Sequence, residues 1–185
     1  ILFIVSLIMK NFFLIPNFLM VYAIIITICN PLYTLNVNAN ELIFSEKPGF
    51  LSTFEDVKGN RLSLENFKDT LVLVNLWATW CEPCKEEMPS LELLQNQFNE
   101  DEFLVLPINL DRGPKKKAIN FFKDQNISNL DIYFDDKNEI PREVKILGLP
   151  VSIFISKDGK EISRLIGPAE WDDEYFVEYI KENLF

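Results

Sequence analysis

The chain has 185 residues, of which 48% are hydrophobic and 25% charged, a globular composition and not a disordered one. Lys and Arg total 18 against 28 Asp and Glu, a net charge of −10 that argues against a nucleic-acid binder. There is no His and there are three Cys, which excludes Ser-His and Cys-His catalysis, His-ligated zinc, haem or copper centres, and a disulfide-dense scaffold.

Residues 1–39 carry one charged side chain, Lys10. Met9-Lys10-Asn11 reads as a start followed by an apolar stretch that runs from Phe12 to Cys29, broken by Pro16-Asn17. Val37-Asn38-Ala39 fits a small-residue cleavage site. The segment reads equally as a cleaved signal peptide and as a retained membrane anchor, since the 18 residues from Phe12 to Cys29 sit at the lower edge of what spans a bilayer. Cys29 follows Ile28, which speaks against a lipidation site and for an inert thiol. Either way, residues 40–185 are expected to form one domain in an extracytoplasmic space such as the periplasm, where two cysteines can be kept oxidised.

Within that domain, Phe50–Val57 and Arg61–Leu64 flank Gly59-Asn60 and predict a β-hairpin. Leu71–Trp77 and Leu104–Leu110 are near-continuous apolar runs, the pattern of strands buried on both faces. Between them Cys84, Met88, Leu91, Leu94 and Phe98 recur at helical spacing. Strand, helix and strand in this order predict a parallel crossover unit. Lys115-Lys116-Lys117 predicts a solvated helix start, with the helix over Ala118–Gln125. Val151–Ile155 and Glu161–Ile166 around Asp158-Gly159 predict a second hairpin, and Trp171–Leu184 a closing amphipathic helix. The fold class is α/β with a mixed sheet.

The chemistry concentrates in Trp80-Cys81-Glu82-Pro83-Cys84, at the junction of a buried strand and a helix. At a helix's first turn two such thiols can approach to disulfide distance. Cys81 is placed at the N-cap, where unpaired N–H groups and the helix dipole stabilise a thiolate. Pro83 suits the first turn, because its missing N–H costs nothing there. Cys84, one turn in, is shielded and can resolve a mixed disulfide. Glu82 beside Cys81 opposes the helix dipole, which favours a reducing centre. Glu87 lies on the apolar stripe three residues after Cys84, where burial should raise its pKa and fit it to serve Cys84 as acid and base. Glu86 points about 200° away from Cys84 and should be solvated. Pro89 removes one helical hydrogen bond, so a kink is expected. Leu149-Pro150 enters a strand, a place where a cis proline has a positional role. A zinc site would need two further ligands that a chain without His supplies poorly.

At these residues the chain resembles the thioredoxin-like superfamily. The run Leu73–Pro89 is similar to the active-site signature of its exported thiol:disulfide interchange branch, the TlpA, ResA and CcmG types. The resemblance covers about residues 45–183. It implies a thioredoxin-like fold with an added N-terminal β-hairpin and a central insertion. It implies Cys81 as nucleophile, Cys84 as resolving thiol, Glu87 as the active-site glutamate and Pro150 as a cis proline packed beside the disulfide. Asn75 stands where thioredoxin has a buried Asp, and Val151 where Thr is common. No cofactor beyond the Cys81–Cys84 disulfide is implied, and no metal.

Gly167–Trp171 is similar to the TlpA type, which implies reduction of copper-site assembly factors of cytochrome oxidase. The CcmG and ResA types imply apocytochrome c as substrate. A membrane thiol transporter of the DsbD or CcdA type is the implied electron donor, and the protein is expected to be a monomer. Other readings fit less well. A DsbA-like oxidant would carry His in the dipeptide, a peroxiredoxin Thr at the position of Ala78, and a Sco-type copper carrier a CxxxC spacing with a His ligand. Accessory Cu(I) binding by the two thiolates stays open.

Overall fold

The structure is a computed structural model that describes residues 41–184. The apolar segment, Met9, Cys29 and the Val37–Ala39 site lie outside the described residues. The elements run β1 (Ile43–Pro48), β2 (Phe54–Glu55), β3 (Arg61–Leu62), a 3-10 turn (Leu64–Phe67), β4 (Leu71–Trp77), α1 (Glu82–Gln95), β5 (Phe103–Asn109), α2 (Lys116–Asp124), β6 (Tyr133–Phe134), α3 (Glu139–Glu143), β7 (Val151–Ile155), β8 (Lys160–Ile166) and α4 (Glu174–Asn183). The strands form one mixed sheet in the order β1-β8-β7-β4-β5-β6-β2-β3.

β4 lies at the centre, parallel to β5 and antiparallel to β7, and every one of its residues is buried. Its pleat divides the interior. Leu71, Leu73 and Trp77 join Met88, Leu91 and Leu94 of α1 and Phe176, Val177 and Ile180 of α4 in one cluster. Val72, Val74 and Leu76 join Phe50, Phe54, Tyr133 and Ile140 in the other. A side-chain period of two assigns Asn75 to the face that meets α1.

The thioredoxin-like α/β fold expected from the sequence is the one observed, with its hairpin (β2–β3) and, between β5 and β7, an insertion that holds α2, β6 and α3. Several boundaries differ, each for a physical reason. The first hairpin arm shortens to Phe54–Glu55 because the Leu51 and Ser52 amides bond to the Glu143 carboxylate, at 2.7 and 3.0 Å, in place of a strand partner. The hairpin turn is closed by the Asp56 carboxylate, which accepts from the amides of Lys58 and Asn60 at 2.8 Å, with Gly59 at φ 85°. Lys115 is not a freely solvated start. Its ammonium pairs with Glu55 at 2.7 Å and sits 4.8 Å above the Phe134 ring. α1 continues through Pro89 to Gln95. The closing helix begins at Glu174, capped by Asp173, which leaves Trp171 outside it in the preceding turn.

One ion pair on β8, built on a buried carboxylate, ties β8 to the edge strand β1. Glu161, almost fully buried, accepts from both Nε and Nη2 of Arg164 at 2.6 Å and from Ser45 at 3.1 Å, with Lys47 3.2 Å away. Burial pushes its carboxyl up, but Arg164 and Lys47 outweigh that and hold it below its ordinary value. Arg164→Met is therefore expected to destabilise the protein by about 3 kcal/mol, because it leaves a buried carboxylate short of its main partner. Adding Glu161→Gln should restore much of the loss, as read by urea denaturation.

Candidate active site

Strand β4 carries the chain to the rim of the sheet at Trp77. The following loop is tied down by three bonds: Cys81 N–H to Ala78 O (3.1 Å), Thr79 N–H to the Asp111 carboxylate (3.1 Å) and Leu110 N–H to Trp77 O (2.9 Å). α1 starts at once, with Cys81 as its N-cap and Pro83 in its first turn. Cys81 and Cys84 are joined in a disulfide with Cα atoms 5.3 Å apart, and the Cys84 amide donates to Cys81 Sγ at 3.3 Å. The two sulfurs differ in access. Cys81 keeps 5% exposure and Cys84 none, so the N-cap sulfur is the one a partner can reach. Trp80, beside it, is 71% exposed. A hollow of about 360 Å³ opens against Trp80 and Thr79, with Asp111, Arg112 and Lys117 in its wall.

Glu82 is exposed and paired with Lys85 at 2.5 Å, which offsets the negative charge that the sequence puts beside Cys81. Glu86 is exposed, as its helical phase requires. Glu87 is buried, one turn beyond Cys84. Its Oε1 accepts from Asn75 Nδ2 at 2.8 Å, and its Oε2 from the Ala169 amide at 3.1 Å and the Trp171 indole at 3.0 Å. Burial raises its pKa to about 7, against the opposing pull of these three donors. Asn75 Nδ2 donates in addition to Ser152 Oγ at 2.9 Å, a contact that follows from the cross-strand pairing of Asn75 with Ser152.

Leu149-Pro150 is a cis peptide bond. Because Val151 pairs with Leu76, this turn lies at the same end of β4 as the loop to Cys81. Pro150 is buried, and Leu149 is half-buried against both core clusters.

The sequence does not reveal the whole shell around Glu87. Trp171, placed there in a helix, instead sends its indole to the carboxylate. Ser90 braces that turn, its Oγ donating to Glu87 O at 2.7 Å and accepting from the Trp171 amide at 3.0 Å. The Gly167–Trp171 similarity to the TlpA type therefore falls on residues that build the carboxylate's surroundings. The signal in the sequence was that similarity, which ends on a tryptophan five residues after the last strand. Among the described residues no group of three or more Cys, Asp or Glu is placed to hold a metal ion.

Comparison with known proteins bears on this geometry. The model of the AhpC/TSA family matches residues 45–161. The thiol-disulfide oxidoreductase ResA of Bacillus thuringiensis subsp. konkukian is 33% identical over 140 residues, 76% of this chain and 78% of the relative. The chain belongs to this family. It is a thiol:disulfide oxidoreductase of the ResA type, and its Cys81–Cys84 disulfide is the redox centre. ResA of Bacillus subtilis is 30% identical over 124 residues, 66% of each chain. Among solved structures, one assigned as thiol:disulfide interchange protein DsbE from Chlorobium tepidum superposes with a TM-score of 0.67 at 24% identity, over 77% of this chain and 100% of its own. A DsbF homologue from Corynebacterium diphtheriae gives 0.63 at 23% identity, over 75% and 91%. At those identities the likeness supports the thioredoxin-like fold.

The raised pKa of Glu87 makes stability depend on pH. Between about 4.5 and about 7 the folded oxidoreductase holds a proton that the unfolded chain has released, so stability falls as pH rises through this window and levels above it. The span corresponds to about 3 kcal/mol. Glu87→Gln removes the titration. Denaturant unfolding of both oxidised proteins at pH 4.5 and pH 8 should show their stability difference moving by about that amount in favour of the variant at the higher pH.

Proposed function

We propose that this oxidoreductase works as a reductant of protein disulfides in respiratory cytochrome assembly, on the outer side of a membrane. Residues 1–39 would serve as its signal peptide or anchor, and a membrane thiol transporter of the DsbD or CcdA type as its electron donor. The observation that carries the reading is the buried Glu87 carboxyl, one helical turn beyond Cys84, with a pKa near the working pH.

The Cys81 thiolate attacks a sulfur of the substrate disulfide, which forms a mixed disulfide and releases one substrate thiolate. Glu87 then takes the proton of the Cys84 thiol. The Cys84 thiolate attacks Cys81 Sγ, closes the Cys81–Cys84 bond and releases the second substrate thiolate. Two electrons pass from the dithiol to the substrate. The N-cap position of Cys81 supports its thiolate, and Cys84 meets no substrate because it is buried. Trp80 and Pro83, its neighbours in the chain, and Leu149 and Pro150 are taken to frame the reachable sulfur. The protein is taken to act as a monomer.

The two relatives described above carry the ResA name, and for that type the resemblance implies apocytochrome c. This supports apocytochrome c over the copper-site assembly factors to which Gly167–Trp171 pointed, because two of those five residues, Ala169 and Trp171, have a structural use in their bonds to Glu87 and Ser90.

Equilibration with a thiol buffer, read by Trp80 fluorescence, is expected to give a reduction potential at or below about −210 mV. A value near about −120 mV, as for a disulfide-introducing enzyme, would overturn the reading. Cys84→Ser should trap a mixed disulfide with an oxidised CxxCH haem-attachment peptide. Glu87→Gln should slow resolution of the wild-type mixed disulfide by about 10²–10⁴-fold, measured by quenched-flow gel assay.

A further inference from the structure

The side-chain amide of Asn75 is used on one side only. Its Nδ2 donates to Glu87 Oε1 and to Ser152 Oγ, at 2.8 and 2.9 Å, whereas its buried Oδ1 has no hydrogen-bond partner. An amide so placed serves an ionised carboxylate. The other oxygen of Glu87 faces the Ala169 amide and the Trp171 indole, two donors with no acceptor to offer in exchange. A proton arriving on Glu87 therefore belongs on Oε1, where it would meet the N–H of Asn75 hydrogen against hydrogen. A carboxamide resolves that conflict, because a half-turn of its terminal torsion exchanges donor for acceptor with almost no change of shape.

We infer that Asn75 is a positioning residue whose amide turns over when Glu87 gains a proton, Nδ2 holding the carboxylate and Oδ1 holding the acid. The inference rests on the proton-carrying role given to Glu87 above. After the turn, Oδ1 accepts from Glu87 Oε1–H and from the Ser152 hydroxyl, which rotates to follow. The Nδ2 group then occupies the unpartnered side. Each state leaves one side of the amide unpaired, so neither state is locked, and Glu87 can both take the Cys84 proton and return it.

The shell contains no competing charge. β4 presents Asn75 to Glu87, β7 presents Ser152 through it, the 167–171 turn presents two neutral donors, and Cys84 on α1 does not titrate while oxidised. No charged side chain contributes to the shift at Glu87. Glu86 and Glu170, its acidic neighbours in these segments, are exposed.

The test is an NMR titration of the full-length oxidised chain in detergent micelles, labelled with 13C and 15N, from about pH 5 to 9. The Glu87 carboxyl carbon and the Asn75 side-chain amide protons are followed together. One shared midpoint is expected, with the amide protons moving toward the unbonded position as pH falls. In Glu87→Gln, a neutral analogue of the acid, the Asn75 amide should stay at its low-pH position at every pH. Titration of Glu87 with the Asn75 amide stationary overturns the inference and leaves the role of Glu87 intact. A Glu87 that keeps one state throughout overturns both. The wild-type titration decides the matter if the variant does not fold.

Discussion

The site depends on one costly feature, a carboxyl group taken out of water at Glu87 and kept next to a buried thiol. Burial alone would drive the group fully neutral, and charged partners would pin it as a carboxylate. The protein does neither. It surrounds Glu87 with three neutral donors from two segments: Asn75 from the central strand, Ala169 and Trp171 from the turn after the last strand. Desolvation and hydrogen bonding oppose one another, and the balance places the pKa at about 7, where a proton can be both taken and returned.

That balance constrains the fold around it. The pleat of β4 must bring Asn75 to the α1 face, and the antiparallel register with β7 must set Ser152 beside it. The turn after β8 must stay non-helical through Trp171 so that both the amide of Ala169 and the indole reach one oxygen. Ser90, on the same helix as Glu87, fastens that turn by a second contact. The sulfur pair is simpler. A buried strand stops, a helix starts, and the N-cap position leaves Cys81 a small exposed area while Cys84 is wholly buried.

Local elements were legible wherever burial writes a continuous pattern. Leu71–Trp77, Val151–Ile155 and the stripe from Cys84 to Leu94 are one apolar run after another, and each is an element of the sheet or of α1. Elements made by partners were not. β1 is an edge strand with little buried surface, so its sequence shows no alternation. β6 is two residues long, and α3 is started by the Asp135 carboxylate accepting from the amides of Glu139 and Ile140. The shortened arm before β2 depends on Glu143, more than ninety positions away. Such capture of backbone amides by distant side chains leaves no periodic trace.

By itself the amino-acid sequence determined the chemistry. Two cysteines at a strand-to-helix junction, a glutamate at the helical phase of the core, and the lack of any histidine define a dithiol centre with a carboxyl group for its proton. Those are matters of residue type and spacing, which helix and strand periods convert directly into position. Only the tertiary structure decided how that carboxyl group is tuned. Its pKa is set by depletion of water and by the direction of a few donors, and the segments that supply them lie up to 84 positions from Glu87 in the chain. A difference of a few tenths of an ångström or one reversed amide changes that environment, and no local pattern of residues records it.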